Sequence, residues 1–117
     1  LKSDAVDVFM AVANNEQPTT EWSKEATLGI VLASKGYPGS YDKGFAIRGT
    51  ERVDAKIFHM GTARKDGELV TAGGRVMIVV ASAPSLEEAL KKARKEIENI
   101  ECDNLFHRTD IGAKAFR

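Results

Sequence analysis

Apolar positions along the chain recur with two different periods, and the period changes mark its elements. Ala5, Val6, Phe9, Met10, Val12 and Ala13 follow helical spacing. They predict a helix from Asp4 to Asn14 with Ser3 as its N-cap. Asn14-Asn15-Glu16-Gln17-Pro18 ends it, and Thr19 to Trp22 predicts a short strand. Trp22, the largest apolar side chain available, is expected to anchor a core or an interface. Thr27 to Ala33 is a continuous apolar run without polar alternation, which predicts a strand buried on both faces.

A segment rich in turn formers follows, from Ser34 to Gly44. Lys56 to Ala63 reads as one strand. Asp66-Gly67 then supplies the positive φ of a tight turn, with Glu68 to Thr71 as the return strand. Gly73-Gly74 predicts a bulge or sharp bend. Arg75 to Ala81 is apolar on both sides, with Val76, Ile78 and Val80 on one and Met77 and Val79 on the other. It is therefore expected to be central in its sheet.

The second helix is announced by Pro84 and by Ser85 with Glu88, the spacing of a capping box. Leu86, Leu90, Ala93, Ile97 and Ile100 form its apolar stripe. Glu87 and Lys91, and Glu88 and Lys92, are oriented for i,i+4 ion pairs on the wet side. The tail from Asn104 to Gly112 is expected to be irregular. Strands and helices do not alternate, so the pattern predicts an α+β domain with a mostly antiparallel sheet and N-terminal and C-terminal helices.

At 117 residues the chain fits one domain, residues 1–117, large enough for a core without staples. Its formal net charge of +0 argues against a general nucleic-acid binder, which needs surplus Lys and Arg, but leaves room for one small phosphate site. The one cysteine, Cys102, allows neither an internal disulfide nor a multi-thiolate zinc site. It is expected as a reduced, partly buried thiol in a cytoplasmic protein. No apolar run approaches the ~20 residues that span a bilayer, and the first residues do not read as a signal peptide. A chain that begins with Leu is expected to be a fragment or a processed product.

Three constellations are candidates for chemistry. The first is the loop with Gly36, Tyr37, Pro38, Gly39, Lys43 and Gly44. Its glycines permit close backbone approach and its lysines add positive charge, which suits an anion as well as it suits a plain structured turn. Phe45 stands where a P-loop needs lysine, so this is not a P-loop. The second joins His59, Gly61 and Thr62 to Gly74 and Arg75 across the predicted hairpin. A histidine beside an arginine suits an anion or a carboxylate, though both also read as structural residues. The third is the tail with His107, Arg108, Asp110 and Gly112. No nucleophile elbow, metal-ligand set or paired apolar carboxylates complete a catalytic group. Taken alone, these residues offer an α+β domain with a candidate anion-binding face and no complete catalytic set.

Five blocks change that picture. Val31-Leu32-Ala33-Ser34-Lys35-Gly36-Tyr37-Pro38-Gly39 with Tyr41-Asp42-Lys43-Gly44, Phe58-His59-Met60-Gly61-Thr62-Ala63, Asp66-Gly67-Glu68-Leu69-Val70-Thr71, Gly73-Gly74-Arg75-Val76 and Phe106-His107-Arg108-Thr109-Asp110-Ile111-Gly112 follow one another in order. In order and spacing the chain resembles, from about Ser3 to its end, the C-terminal domain of the glycinamide ribonucleotide synthetase family of ATP-grasp ligases. Met60 and His107 depart from the alanine and tyrosine common there. The resemblance implies a β-rich cap like the C-terminal domain of biotin carboxylase, closing the ATP-grasp cleft of a cytoplasmic purine-pathway ligase that joins glycine to 5-phosphoribosylamine. It implies ATP and Mg or Mn as cofactors, bound mainly by preceding ATP-grasp and N-terminal domains of the same polypeptide. It places Gly36, Tyr37, Pro38, Lys43 and Gly44 on one wall of the substrate pocket, and His59, Gly61, Thr62, Gly74 and Arg75 on a second. Asp110 and Gly112 would brace the tail, and the chain by itself is expected to be inactive. Two other expectations compete with this one: a free-standing sugar-phosphate or nucleotide-binding module, and an interaction domain that docks through Trp22 and the apolar strands.

Overall fold

The computed structural model describes residues 1–116. Its helices are α1 (Ala5–Ala13) and α2 (Leu86–Ile97). Its strands are β1 (Ala26–Ser34), β2 (Lys56–His59), β3 (Thr62–Lys65), β4 (Glu68–Thr71), β5 (Arg75–Ala83) and β6 (Leu105–Phe106). Four strands make an antiparallel sheet in the order β2-β5-β1-β6, and β3 and β4 form a separate hairpin. The α+β class, the antiparallel pairing and the central place of β5 are as the sequence predicts.

The two faces of the sheet are unequal. Leu28, Ile30 and Leu32 alternate along β1 and pair with Ala81, Val79 and Met77 of β5, so all six share one face, and all are buried. α2 covers that face with Ala89, Leu90 and Ala93 against Leu28, Ile30 and Ala81, and with Ile97 against the cluster around Leu32 and Met77. Each large side chain buried this way contributes about 1.5–3 kcal/mol. The helix starts as predicted: Ser85 Oγ accepts from the Glu88 amide at 3.2 Å while Glu88 Oε2 accepts from the Ser85 amide at 3.2 Å. Glu88 is thereby engaged in the cap, and Lys92 turns to Asp54 at 3.6 Å, so neither predicted i,i+4 ion pair is among those formed by the described residues.

On the opposite face Phe58, Ile78 and Val31 form a cross-strand row, with Val80 beside it. None of the four is buried, and Phe58 is 54% exposed. β1 is therefore not covered on both faces, as its uninterrupted apolar run predicts. Only the α2 side is covered by the chain itself.

The register slips between Leu32 and Ala33: Leu32 pairs with Met77 but Ala33 pairs with Arg75. The extra residue, Val76, turns inward beside Met77, and both are 0% exposed. This corrects the expected alternation, which set Val76 with Ile78 and Val80. It also decides where Arg75 points. Strict alternation from Met77 would send Arg75 toward α2; the bulge sends it to the open face instead.

Three further expectations are corrected. Lys56 to Ala63 is not one strand: the amides of Met60 and Gly61 both donate to Val76 O at 2.9 Å, and the chain then leaves the sheet to begin β3. Thr19 to Trp22 forms no strand, and Trp22, at 67% exposed, anchors no core, which leaves the interface alternative. Asp4, not Ser3, caps α1, because its carboxylate accepts from the Val6 amide at 2.7 Å while Ser3 Oγ accepts from the Glu21 amide at 2.7 Å. The Asp-Gly turn is as predicted, with Asp66 at φ 51° and Gly67 at φ 85°.

Candidate functional site

The open face of the sheet ends in a concavity of about 450 Å³. It is lined by Val31 and Ala33 of β1, by the exposed Arg75 of β5, by Tyr37 and Pro38 of the loop, and by Phe106, His107, Arg108 and Ile111 of the tail. Three of the sequence blocks thus meet in one place. Packing of the bend brings this about. Ser34, fully buried, donates its amide to Gly74 O at 2.8 Å and its hydroxyl to Gly73 O at 2.8 Å. Tyr37 lies against Gly74 so closely that a Cβ there would overlap its ring. Gly61 backs onto the same bend, where a Cβ would meet Arg75 O at 2.6 Å and Gly73 Cα at 2.8 Å. Gly61 and Gly74 are therefore required by close packing.

The loop that carries Tyr37 is held at both ends by the tail. Lys35 donates its amide to Asn104 O at 2.9 Å and its ammonium to Asp103 O at 2.6 Å, and Asn104 Nδ2 donates to Asp42 O at 3.2 Å. The amides of Tyr37 and Gly44 are spent on Ser34 O and Thr71 O. At Gly36 the positive φ of 97° brings the backbone against Ser40 O. The Tyr37 and Gly44 amides therefore serve the loop's own shape. Lys43 sits 5.8 Å from the Tyr41 ring centroid, and neither Lys43 nor Gly44 lines the concavity.

His59 and Arg75 do not share a pocket. His59 pairs with Met77 on β5, while the bulge turns Arg75 the other way. His59 Nδ1 and Thr62 Oγ1 are 3.0 Å apart, and both residues line a separate groove with Thr50, Ala63, Arg64 and Leu69. In the tail, Asp110 takes a two-pronged bond from Arg108, Nε to Oδ1 at 2.8 Å and Nη2 to Oδ2 at 2.6 Å. Those bonds, and then the opposite charge, hold the Asp110 carboxyl below its ordinary range and raise Arg108 above its own. Gly112 turns the tail at φ 81° over Leu28 and Leu90.

The cationic balance of the concavity follows. Arg108 is neutralised by Asp110, whereas Arg75 takes part in no ion pair among the described residues. An exposed guanidinium at the rim of a largely apolar hollow offers a planar, forked donor to a phosphate or carboxylate. Val31 and Ala33 are lining residues that the sequence pattern reads only as strand, and Ser34 and Asn104 are supports that it reads only as loop and tail. Their contacts join segments far apart in sequence, so only β1–β6 pairing reveals them.

Comparison with known proteins matches this arrangement to a family. The model of the phosphoribosylglycinamide synthetase C domain matches residues 27–114, and the chain belongs to that family. Among whole proteins, it is 48% identical over 117 residues to the phosphoribosylamine–glycine ligase of Halalkalibacterium halodurans, covering 98% of this chain and 27% of that protein. To the ligase of the same name from Agrobacterium fabrum it is 44% identical, covering 98% of this chain and 28% of the relative. The crystal structure of phosphoribosylamine–glycine ligase from Thermotoga maritima superposes with a TM-score of 0.81 at 32% identity, covering 91% of this chain and 27% of that one. The chain thus spans little more than a quarter of the length of the relatives it matches.

Proposed function

We propose that residues 1–117 are the C-terminal cap domain of a phosphoribosylamine–glycine ligase. In that reaction ATP activates glycine as an acyl phosphate, the amine of 5-phosphoribosylamine attacks its carbonyl carbon, and phosphate leaves. The product belongs to de novo purine synthesis, leading to IMP in the cytoplasm. The observation that carries this reading is the partly exposed apolar sheet face that ends in a concavity lined by the exposed Arg75. Such a face suits a lid: its apolar part lies against the ATP-grasp cleft, and its guanidinium faces the anionic substrate.

In this reading the chain contributes position and charge rather than bond-breaking groups. Arg75 holds a phosphate or carboxylate oxygen of the substrate, and Tyr37 and Pro38 shape the wall beside it. Gly36, Gly61 and Gly74 let that wall close up, and Asp110 and Gly112 fix the tail that carries Arg108. His59 and Thr62 serve a second subsite along the β3–β4 hairpin, with Lys43 and Gly44 at the outer end of the loop. ATP and Mg or Mn are held by the preceding ATP-grasp and N-terminal domains. Among the described residues no group of three His, Cys, Asp or Glu is placed to hold a metal. No helix among them is long and apolar enough to cross a membrane.

The test is a chimera in which this chain replaces the homologous C-terminal part of the Halalkalibacterium halodurans ligase. The chimera is expected to form glycinamide ribonucleotide from glycine, ATP and phosphoribosylamine, while the chain alone neither turns over nor binds ribose 5-phosphate measurably. Tight binding by the chain alone together with a dead, folded chimera would establish the free-standing binder instead.

A further inference from the structure

α1 is built the wrong way round for a helix in water. A surface helix keeps a polar face outward, and a helix that is apolar all round is normally buried. α1 has the sequence AVDVFMAVA, with Asp7 as its one charge, and not one of its residues is buried. At about 100° per residue, Ala5, Val6, Phe9, Met10, Val12 and Ala13 share an arc of roughly 160°. Val6 is 66%, Phe9 70%, Met10 54% and Val12 61% exposed. The other side of the helix is accounted for: Val8 and Ala11 are half-buried in a notch with Gln17, Pro18 and Thr19 of the chain's own return segment.

The segment that carries α1 is also self-contained. Lys2 donates its amide to Glu21 O at 2.7 Å, Glu21 donates its own to Ser3 Oγ, and Trp22 Nε1 reaches Thr20 Oγ1 at 3.3 Å. These bonds tie residues 2–22 to one another and not to the sheet.

We propose that the apolar arc of α1 docks on the part of the ligase polypeptide that precedes this domain, as the fixed base on which the cap is mounted. Two observations select that occupant. The C-domain family model begins at residue 27, beyond α1, whereas whole ligases match 98% of the chain. The helix is therefore shared with complete ligases but lies outside the pattern that defines the C domain. The second is size. Nine residues at 1.5 Å each make a face only about 13 Å long and about 10 Å wide, an area far short of the roughly 1,200–2,000 Å² of a stable interface between separate chains. Within one polypeptide a small patch suffices, because the tether removes most of the entropic cost of association. This inference rests on the ligase reading for the identity of the partner.

The test is amide hydrogen exchange on α1 in two contexts, the chain alone and the chimeric ligase. The account expects fast exchange in the chain alone and protection at least a hundredfold stronger in the chimera. Phe9→Glu with Met10→Glu, or the milder Phe9→Ser, should return α1 of the chimera to fast exchange while β1 and β5 stay protected. Equal exchange of α1 in both contexts would overturn the proposal. So would concentration-dependent protection in the chain alone that Phe9→Ser removes, since a second copy would then be the occupant. Turnover by the chimera is read separately and reports on the ligase assignment, so failure of one is distinguishable from failure of the other.

Discussion

Gly74 shows how one side chain too many would reach the candidate site. A methyl group there overlaps the Tyr37 ring, and Ser34 holds the bend so firmly that the ring must give way. Gly74→Ala should destabilise the chain by about 1–3 kcal/mol, as overpacking does. Adding Tyr37→Ala should recover most of that loss, a non-additivity that chemical denaturation of the four variants measures directly. The tail makes a different prediction. Arg108 donates two bonds to Asp110 and holds its carboxyl below the ordinary value of 3.8. A depressed carboxylate stabilises the fold above its unfolded pKa and ceases to do so as pH falls through its folded one. Asp110→Asn should therefore loosen residues 108–112 at neutral pH and make no difference once the native carboxylate is protonated, as hydrogen exchange of the tail against pH will report. Both residues are exposed, so the effect is local and salt-sensitive.

Among the elements, the loop from Lys35 to Asp42 depends on a neighbour it does not resemble. Asn104 is buried and gives its amide group to Asp42 O. Asn104→Ala should cost about 1–2 kcal/mol and speed exchange of the loop amides roughly tenfold, with α2 unchanged. What was legible at this scale was whatever is local. The Ser85–Glu88 box and the Asp66-Gly67 turn are complete within four residues, and both form as the sequence predicts. The Asn104 clamp spans 62 positions and the Ser34 staple 39, so no window of sequence contains either. The bulge at Val76 was hidden for another reason. Val76, Met77, Ile78 and Val79 are all apolar, and a slip of one residue leaves the pattern unchanged while turning Arg75 to the other face. The predicted hairpin brings the ends that carry His59 and Arg75 together, and the slip turns the two side chains to opposite faces.

Across the whole molecule, apolar residues that the chain does not cover tell the most. The sequence of β1 reads as a strand buried on both faces, yet Val31 and Ile78 are only half-buried and Phe58 beside them is exposed. α1 reads as amphipathic, yet its broad apolar arc faces outward. The chain spans about a quarter of its relatives' length, and on the proposed ligase reading both surfaces would meet parts of the polypeptide outside it. The two faces differ in one respect that matters for function. The arc of α1 is apolar throughout, as a fixed joint should be, whereas the sheet face ends at Arg75 beside Tyr37, as a lid over an anionic substrate should. The most direct test is steady-state kinetics of the chimeric ligase with Arg75→Ala beside Lys43→Ala, both with unaltered thermal stability. The account predicts that Arg75→Ala lowers kcat/KM for phosphoribosylamine at least tenfold, about 1.4 kcal/mol of transition-state binding, with a smaller loss at Lys43. Unchanged kcat/KM in a folded Arg75→Ala enzyme would contradict it and move the substrate away from the open face.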